Sequence, residues 1–395
     1  MSNPSPPLNH HLKNMLGVVG GGQLAQMLVD SALQKRIDIA IQTVSKSDPA
    51  AKNAKKVFLS DQSDVETTKQ MSSECACITF ENEWVNTEKL MSLEKEGIQF
   101  IPRISSISAL MDKSSQRSLL QELNIPAADW LPLSFINLSD TKLPNGWNFP
   151  LMAKASRGGY DGKGTKKIND FSQLHTLITS VDSKLWFLEK WVEYEKEYSI
   201  VASRDLEGSI KVFSLVETQQ YNQVCDWVLA PADVSHSVEM MAFNIVASLL
   251  SELNYFGVIA IEFFYGKNGL LVNEIAPRTH NSGHYSIEAC QSSQFDHQVC
   301  IAAGLPVPSP KMIVPGAIMI NLLGQPDSCS LTLESRVEQI KQIPGVNLHW
   351  YEKKEEKPGR KLGHVTFVLR SDDFTSRRQE AMEIVEKIRL IWPIK

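Results

Sequence analysis

Two glutamates, Glu262 and Glu274, stand inside apolar runs (259–265 and 270–275) that flank Gly266-Lys267-Asn268-Gly269. Two such runs around a glycine-rich turn read as a β-hairpin. Counted back from the turn, the two acids fall roughly opposite each other. Carboxylates side by side on apolar strands repel unless a cation or a shared proton joins them. A hard divalent cation held by few carboxylates and completed by phosphate oxygens is the arrangement of magnesium with a nucleotide. An edge hairpin with two solvent-facing acids is the plainer alternative. The next residues favour chemistry: Arg278, His280, Asn281 and His284 crowd into one stretch with Pro277 and Gly283. Arginine offers a planar fork to phosphate or carboxylate, and His and Asn bond a small planar oxyanion. A metal-binding hairpin that runs into an anion-binding loop points to phosphoryl chemistry.

Other stretches fit the same reading. Lys154 ends a short apolar run, and Ser156-Arg157-Gly158-Gly159-Tyr160-Asp161-Gly162-Lys163-Gly164 follows. Glycines let a backbone approach an anion closely, so this is a mobile cover for a triphosphate or, failing that, a plain glycine-rich hairpin. It is not a Walker A loop, because G-x-x-x-x-G-K-[ST] is absent. A strand over 185–188 leads into Glu189-Lys190-Trp191-Val192, whose backbone suits an adenine edge, and Glu197 suits ribose hydroxyls. Read alone, this charged run is a solvated loop. Gly20, Gly22 and Ala25 satisfy G-x-G-x-x-G/A after a strand. The acid that a nicotinamide site needs about 20 positions on is missing. That leaves a phosphate at a helix start or a tight structural turn. Glu81 and Glu83 follow a strand over 77–80, where α/β sheets bind ligands; two exposed acids are equally expected. A basic cluster runs from Lys353-Lys354 to Lys357-Pro358-Gly359-Arg360-Lys361. It suits one bound phosphate, or it is a solvated face.

The elements that must position these residues begin with a βαβ opening: a strand over 16–19, a helix over 23–33 and a strand over 37–41. A helix is expected over 108–124 with Asp112-Lys113 in its first turns, and a domain boundary near 125–129. Strands over 212–215 and 364–369, and amphipathic helices over 238–253 and 376–391, complete the outline. The chain has 395 residues, a net charge of −5 and no strongly basic field, which argues against a nucleic-acid binder. The six cysteines form no CxxC pair and suit reduced thiols in a cytoplasmic protein. Residues 1–14 read as a disordered tail, and no uncharged apolar run nears membrane-spanning length.

Five segments in order carry a resemblance: GGGQLAQM (20–27), RGGYDGKG (157–164), LEKWVEYEKE (188–197), LVNEIAPRTHNSGH (271–284) and KPGRKLGH (357–364). Over roughly 15–370 the chain resembles the ATP-grasp family, and within it the ATPase type of the purine-pathway carboxylase system. The resemblance implies an α/β (α+β) ATP-grasp fold. A Rossmann-like preATP-grasp domain would span 15–112, a central lid 113–190, the core 191–310 and a small C-terminal domain 311–395. It implies ATP- and bicarbonate-dependent carboxylation of 5-aminoimidazole ribonucleotide through carboxyphosphate, with ATP and Mg2+ as cofactors, small-molecule partners and a homodimer. Carried over position by position, Lys113, Lys154, Gly159, Tyr160, Asp161, Gly162, Lys163, Gly164 and Thr165 would meet the ATP phosphates. Glu189, Lys190, Trp191 and Val192 would hold adenine, with Glu197 and Gln220 at the ribose side and Asn273 and Glu274 beside the phosphates. Glu262 and Glu274 would bind the metal. Arg278, His280 and Asn281 would hold bicarbonate or carboxyphosphate, with Asp161 and Lys163 also catalytic. Tyr160, Asp161 and Lys163 would line the ribonucleotide, and Lys353 and Arg360 would hold its 5′-phosphate. Lys113 and Gln220 stand where the family usually has Arg and His. The alternatives are therefore a diverged ATP-grasp ligase acting on another amine, or a non-catalytic nucleotide binder. A nicotinamide-dependent oxidoreductase is the rival outside the family.

Overall fold

A computed structural model describes residues 15–137, 139, 142–158, 164–325, 331–353 and 355–394. The expected tail and the loop residues Gly159, Tyr160, Asp161, Gly162 and Lys163 lie outside the described residues, as does Lys354.

The N-terminal unit is a parallel sheet of β1 (Met15–Val19), β2 (Asp38–Thr43), β3 (Lys56–Leu59) and β4 (Cys77–Phe80), ordered β3-β2-β1-β4. Its strands are short and apolar, as buried parallel strands are. Helix α1 (Gln23–Gln34) buries Leu24, Ala25, Met27, Leu28 and Val29. Helices α2 (Val65–Ser72), α3 (Thr87–Lys95) and α4 (Ile104–Leu110) follow. The single helix expected over 108–124 is two, with α5 at Lys113–Glu122. The Asp112 carboxylate accepts from the N–H groups of Ser114 (3.0 Å) and Ser115 (3.1 Å). An N-cap residue leaves helical geometry, so Asp112 starts a new helix rather than lying within one. Lys113 is thereby set at its first position.

The central unit is an antiparallel sheet of β5 (Trp130–Pro132), β6 (Leu151–Ala155), β7 (Thr165–Ile168) and β8 (Trp186–Lys190), ordered β5-β8-β6-β7 and backed by α6 (Phe171–Ser180). It has its own small core around Leu133, Leu151, Leu174 and Leu188. The backbone N–H of Lys113 donates to the Ser156 carbonyl at 2.8 Å, tying this unit to α5.

The largest unit is a nine-stranded sheet. It comprises β9 (Lys196–Arg204), β10 (Ile210–Val212), β11 (Val216–Tyr221), β12 (Val224–Ala230), β13 (Gly257–Gly266), β14 (Gly269–Ala276), β15 (Gly316–Leu323), β16 (Asn347–Trp350) and β17 (Lys361–Leu369). The order is β14-β13-β9-β11-β12-β15-β17-β16, with β10 also on β9. The strand expected over 212–215 is displaced. Phe213 and Leu215 lie buried between β10 and β11, and the polar Glu217 and Gln220 fall inside β11. Their backbone pairs with β9 and β12 whatever the side chains are. Helix α7 (His236–Glu252) covers one face together with Leu120 of α5. After α8 (Ser286–Ala289), α9 (Gln294–Ala302) packs Phe295 and Val299 into the cluster that holds Leu24 and Leu28 of α1, joining the core to the N-terminal unit. Residues 311–395 extend the sheet through β15–β17, with α10 (Leu333–Lys341) and α11 (Phe374–Ile391) packed over the extension.

Candidate active site

The hairpin forms where its sequence places it, and its register is the decisive detail. Gly266 pairs Gly269 and Phe263 pairs Val272, but Glu262 pairs Glu274. Strict counting from the turn would set Glu262 against Asn273 and send Glu274 to the opposite face. A bulge at Asn273 absorbs one residue, and bulges re-aim side chains in this way. Cross-strand partners share a face, so the two carboxylates stand together. On the other face Ile261, Phe263, Val272 and Ile275 enter the apolar core. Burial, and then the charges of Glu274 and Glu197, push the Glu262 carboxyl well above its ordinary range. The Lys113 ammonium donates to Glu274 at 3.0 Å, and the charges of Lys361 and Lys113 also reach Glu262. Among the described residues no group of three or more His, Cys, Asp or Glu is arranged to hold a metal. Two carboxylates held in mutual repulsion fit a divalent ion that draws its remaining ligands from phosphate and water.

Lys154, on β6, reaches across to the core. Its ammonium meets Glu189 at 2.7 Å and the Asn273 side-chain oxygen at 3.2 Å. Glu189 is 3% exposed and also pairs with Arg117 of α5. Its carboxylate is therefore enclosed by two cations, which leaves the expected adenine contacts to the backbone of Lys190, Trp191 and Val192. The side chains of Lys190 and Trp191 turn elsewhere: Lys190 pairs with Asp129 at 2.8 Å, and Lys167 lies 4.4 Å over the Trp191 ring. Burial first, and then the Arg117 and Lys113 charges, lower the Lys154 pKa against the pull of Glu189. Glu197 lies on the Glu262 face, two residues along β9 from Ser199, the cross-strand partner of Glu262. It accepts hydrogen bonds from Tyr194 and Gln220, and burial raises its pKa despite them. Thr165 pairs with Lys154 across the β6–β7 ladder, and Gly164 precedes it with φ of 80°.

The loop after β14 is anchored at several points. Arg278 grips Glu83 of the N-terminal unit in a two-point pair, Nε to Oε2 at 2.6 Å and the other guanidinium nitrogen to Oε1 at 3.4 Å. The pairing of Glu83 was not visible in the sequence, although its place beyond a strand end was. The His280 Nε2 lies 3.6 Å from Glu262, and its Nδ1 is 2.9 Å from the Ser282 hydroxyl. Burial and the neighbouring Arg278 and Lys361 charges hold this imidazole neutral. Gln294, fully buried, accepts from the His280 N–H (2.8 Å) and donates to its carbonyl (2.6 Å). A Cβ at Gly283 would fall 2.7 Å from Gln294, so only glycine allows this approach. Asn281 departs from expectation. Its amide pairs reciprocally with buried Asn321 at 3.0 and 2.7 Å, so one N–H is left for an anion.

The glycine turn of α1 is closed to an outside ligand. The Glu81 carboxylate accepts from the N–H groups of Gly22 (2.6 Å) and Leu24 (3.2 Å). A Cβ at Gly20 or Gly22 would collide with it, at 2.6 and 2.3 Å. The phosphate expected at this helix start is thus replaced by an internal anion, and neither Glu81 nor Glu83 is an exposed acid. In the basic cluster, the Lys353 ammonium donates to the Lys361 carbonyl (2.7 Å) and Arg360 to the Glu355 carbonyl (3.2 Å). Lys353 acts electrostatically on Glu81, and Lys361 on Glu262 and His280. The cluster therefore borders the same cleft. Arg117, Gln116, Gln294 and Asn321, which brace these groups through the backbone or a neighbouring side chain, were passed over by motif reading.

An open parallel sheet, an antiparallel lid and a core hairpin with paired acids define an ATP-grasp protein. Family models agree: a ribonucleotide synthetase preATP-grasp domain matches residues 13–110, an ATP-grasp domain 118–295 and a phosphoribosylaminoimidazole carboxylase C-terminal domain 317–378. The N5-carboxyaminoimidazole ribonucleotide synthase of Synechococcus elongatus is 40% identical over 96% of this chain and 95% of its own length. That of Synechocystis is 38% identical over 95% of this chain and 97% of its own. The crystal structure of the Aspergillus clavatus synthase with ADP and 5-aminoimidazole ribonucleotide superposes with a TM-score of 0.84 at 27% identity, covering 95% of this chain and 99% of that one. The chain belongs to the N5-carboxyaminoimidazole ribonucleotide synthase family.

Proposed function

We propose that this chain is an ATP-dependent carbon–nitrogen ligase that carboxylates 5-aminoimidazole ribonucleotide with bicarbonate, giving N5-carboxyaminoimidazole ribonucleotide for purine synthesis. The observation that carries the reading is the meeting of Glu262 and Glu274 on one face, between the cations Lys113 and Lys154 and the Arg278–His280 loop. Phosphoryl transfer needs positioning and charge neutralisation more than covalent help. Lys113 and Lys154 hold and neutralise the phosphates, and a magnesium ion held by Glu262 and Glu274 supplies further neutralisation when bound. Arg278 orients bicarbonate for attack on the γ-phosphorus; the bond to the β–γ bridging oxygen breaks, giving carboxyphosphate and ADP. Neutral His280 donates to or accepts from that anion without adding charge. The ribonucleotide amine then takes the carboxyl group, directly or through carbon dioxide, as inorganic phosphate leaves and the amine loses a proton, and Lys353 and Arg360 hold its 5′-phosphate. For Tyr160, Asp161 and Lys163 the family resemblance implies a role toward the same substrate. A homodimer in the cytoplasm is part of this proposal. Among the described residues no helix is long and apolar enough to cross a membrane.

The test is phosphate release from ATP by the purified chain, with and without each co-substrate. Release is expected only when bicarbonate and the aminoimidazole ribonucleotide are both present, with one carboxylated product per phosphate. ATP binding without release under saturating substrates would make the chain a nucleotide binder instead. Turnover with a different amine would make it a diverged ligase.

A further inference from the structure

Strand β14 is the free edge of the nine-stranded sheet. Edge strands present unpaired backbone groups, yet around the bulge this one is held residue by residue. The Val272 N–H donates to the Pro126 carbonyl at 2.8 Å. Arg117, 3% exposed, donates to the Asn273 carbonyl at 2.5 Å and pairs with Glu189 through Nε. Lys113 takes the Glu274 carboxylate. Gln116, 4% exposed, donates to the Ile275 carbonyl at 2.9 Å and accepts from the Ile275 N–H at 3.2 Å, as a neighbouring strand would. A second donation, to the Leu110 carbonyl at 2.6 Å, stops that amide from swinging away. Gln116 and Arg117 therefore bond the backbone on either side of Glu274.

We propose that Gln116 and Arg117 are positioning residues for the metal carboxylates: the first turns of α5 hold the bulge that keeps Glu274 on the Glu262 face. A bulged edge strand with no partner is free to slip by one residue, and a one-residue slip turns every side chain over. Here that slip would send Glu274 into the apolar core and Ile275 towards the cleft. Two buried side chains that satisfy the backbone only in the bulged register select it. The inference rests on the metal reading of Glu262 and Glu274, and its test separates the two.

Manganese binding is measured by electron paramagnetic resonance on the full chain with saturating ADP, alongside ADP binding without metal by calorimetry. The wild-type chain should bind manganese; if it does not, the metal reading itself fails. Arg117→Lys keeps a cation beside Glu189 but loses the fork that reaches Asn273, and Gln116→Met keeps volume but loses all three bonds. Outer-shell partners of metal ligands are worth about 10–100-fold in affinity, so each variant should weaken manganese at least about tenfold. Gln116→Met touches neither Lys154 nor Glu189, so its metal-free ADP affinity should stay within about twofold of wild type, well short of the outer-shell effect. Folded variants with wild-type manganese affinity would overturn the proposal. So would equal losses of manganese and metal-free ADP binding, or failure of both variants to fold, because either outcome assigns the pair to general stability.

Discussion

The protonation of Glu262 depends on the charges beside it. Burial and the adjacent Glu274 and Glu197 charges raise its pKa, while Lys361 and Lys113 pull the other way and His280 faces it uncharged. A carboxyl whose folded-state pKa is raised binds its proton more tightly in the folded chain than in the unfolded one. Its contribution to stability is fully present below the unfolded value and is lost as pH rises through the folded one. The metal-free protein is therefore expected to lose thermal stability as pH climbs from the ordinary carboxylate range through neutrality. Glu262→Gln should flatten that dependence, and magnesium with ADP should offset it in the wild-type chain. Scanning calorimetry across pH checks all three, and identical profiles for variant and wild type would clear Glu262 of the role. Glu274→Gln is expected to remove turnover, since the metal would lose a charged ligand and Lys113 its partner. Wild-type rates in that variant would take the residue out of the metal site.

At the scale of elements, the anion loop depends on a close approach. Gln294 at the start of α9 brackets the His280 backbone, and Gly283 leaves room for it. Gly283→Ala would press a methyl group onto this amide. Overpacking of this kind costs about 1–3 kcal/mol, and the strain falls on the segment that carries His280. A raised Michaelis constant for bicarbonate with unchanged ATP affinity is expected from steady-state kinetics. A variant whose two constants both match wild type would show that the loop has slack. The short helices show the same dependence on a few contacts. Asp112 was legible as a polar residue in a helical pattern, but only the fold shows it ending one helix and capping the next, so that Lys113 faces Glu274.

For the whole molecule, the continuity of the large sheet matters most. β15 pairs β12, so residues 311–395 share backbone hydrogen bonds with the core. Arg378 of α11 donates to Glu217 at 2.8 and 2.9 Å, and Arg389 pairs with Asp226 of β12. A chain ended after residue 310 would leave β12, buried along its whole length, as a bare edge. Exposed apolar edges invite association, so that fragment should elute as aggregate in size-exclusion chromatography. A monodisperse fragment that still binds ADP would show the C-terminal segment to be an independent domain after all. The N-terminal unit is joined to the core by side chains rather than by a shared sheet: the α1–α9 packing, the Lys35–Asp296, Lys52–Glu352 and Arg278–Glu83 pairs, and the Gln298 bonds to Thr79 and the Ile101 carbonyl.

The residues proposed to meet a ligand could be picked out in order along the chain, because a hairpin, a glycine-rich stretch and a basic cluster each announce themselves by spacing. The bulge left only a blurred trace. The β14 residues that enter the core are 270 and 272 and next 275, a step of three where alternation asks for two, but apolar Leu271 between them masks it in the sequence. Arg117, Gln116, Gln294 and Asn321 left none. A buried polar side chain looks like a flaw in an apolar pattern until the backbone it bonds is known, and those partners lie far away along the chain. Local spacing thus determined which groups are present and which strands and turns bear them. Only the tertiary structure decided that Glu81 fills the glycine turn, that Glu83 holds Arg278 and that Glu274 faces Glu262. Those choices depend on hydrogen bonds and charge pairs between segments that no local pattern relates.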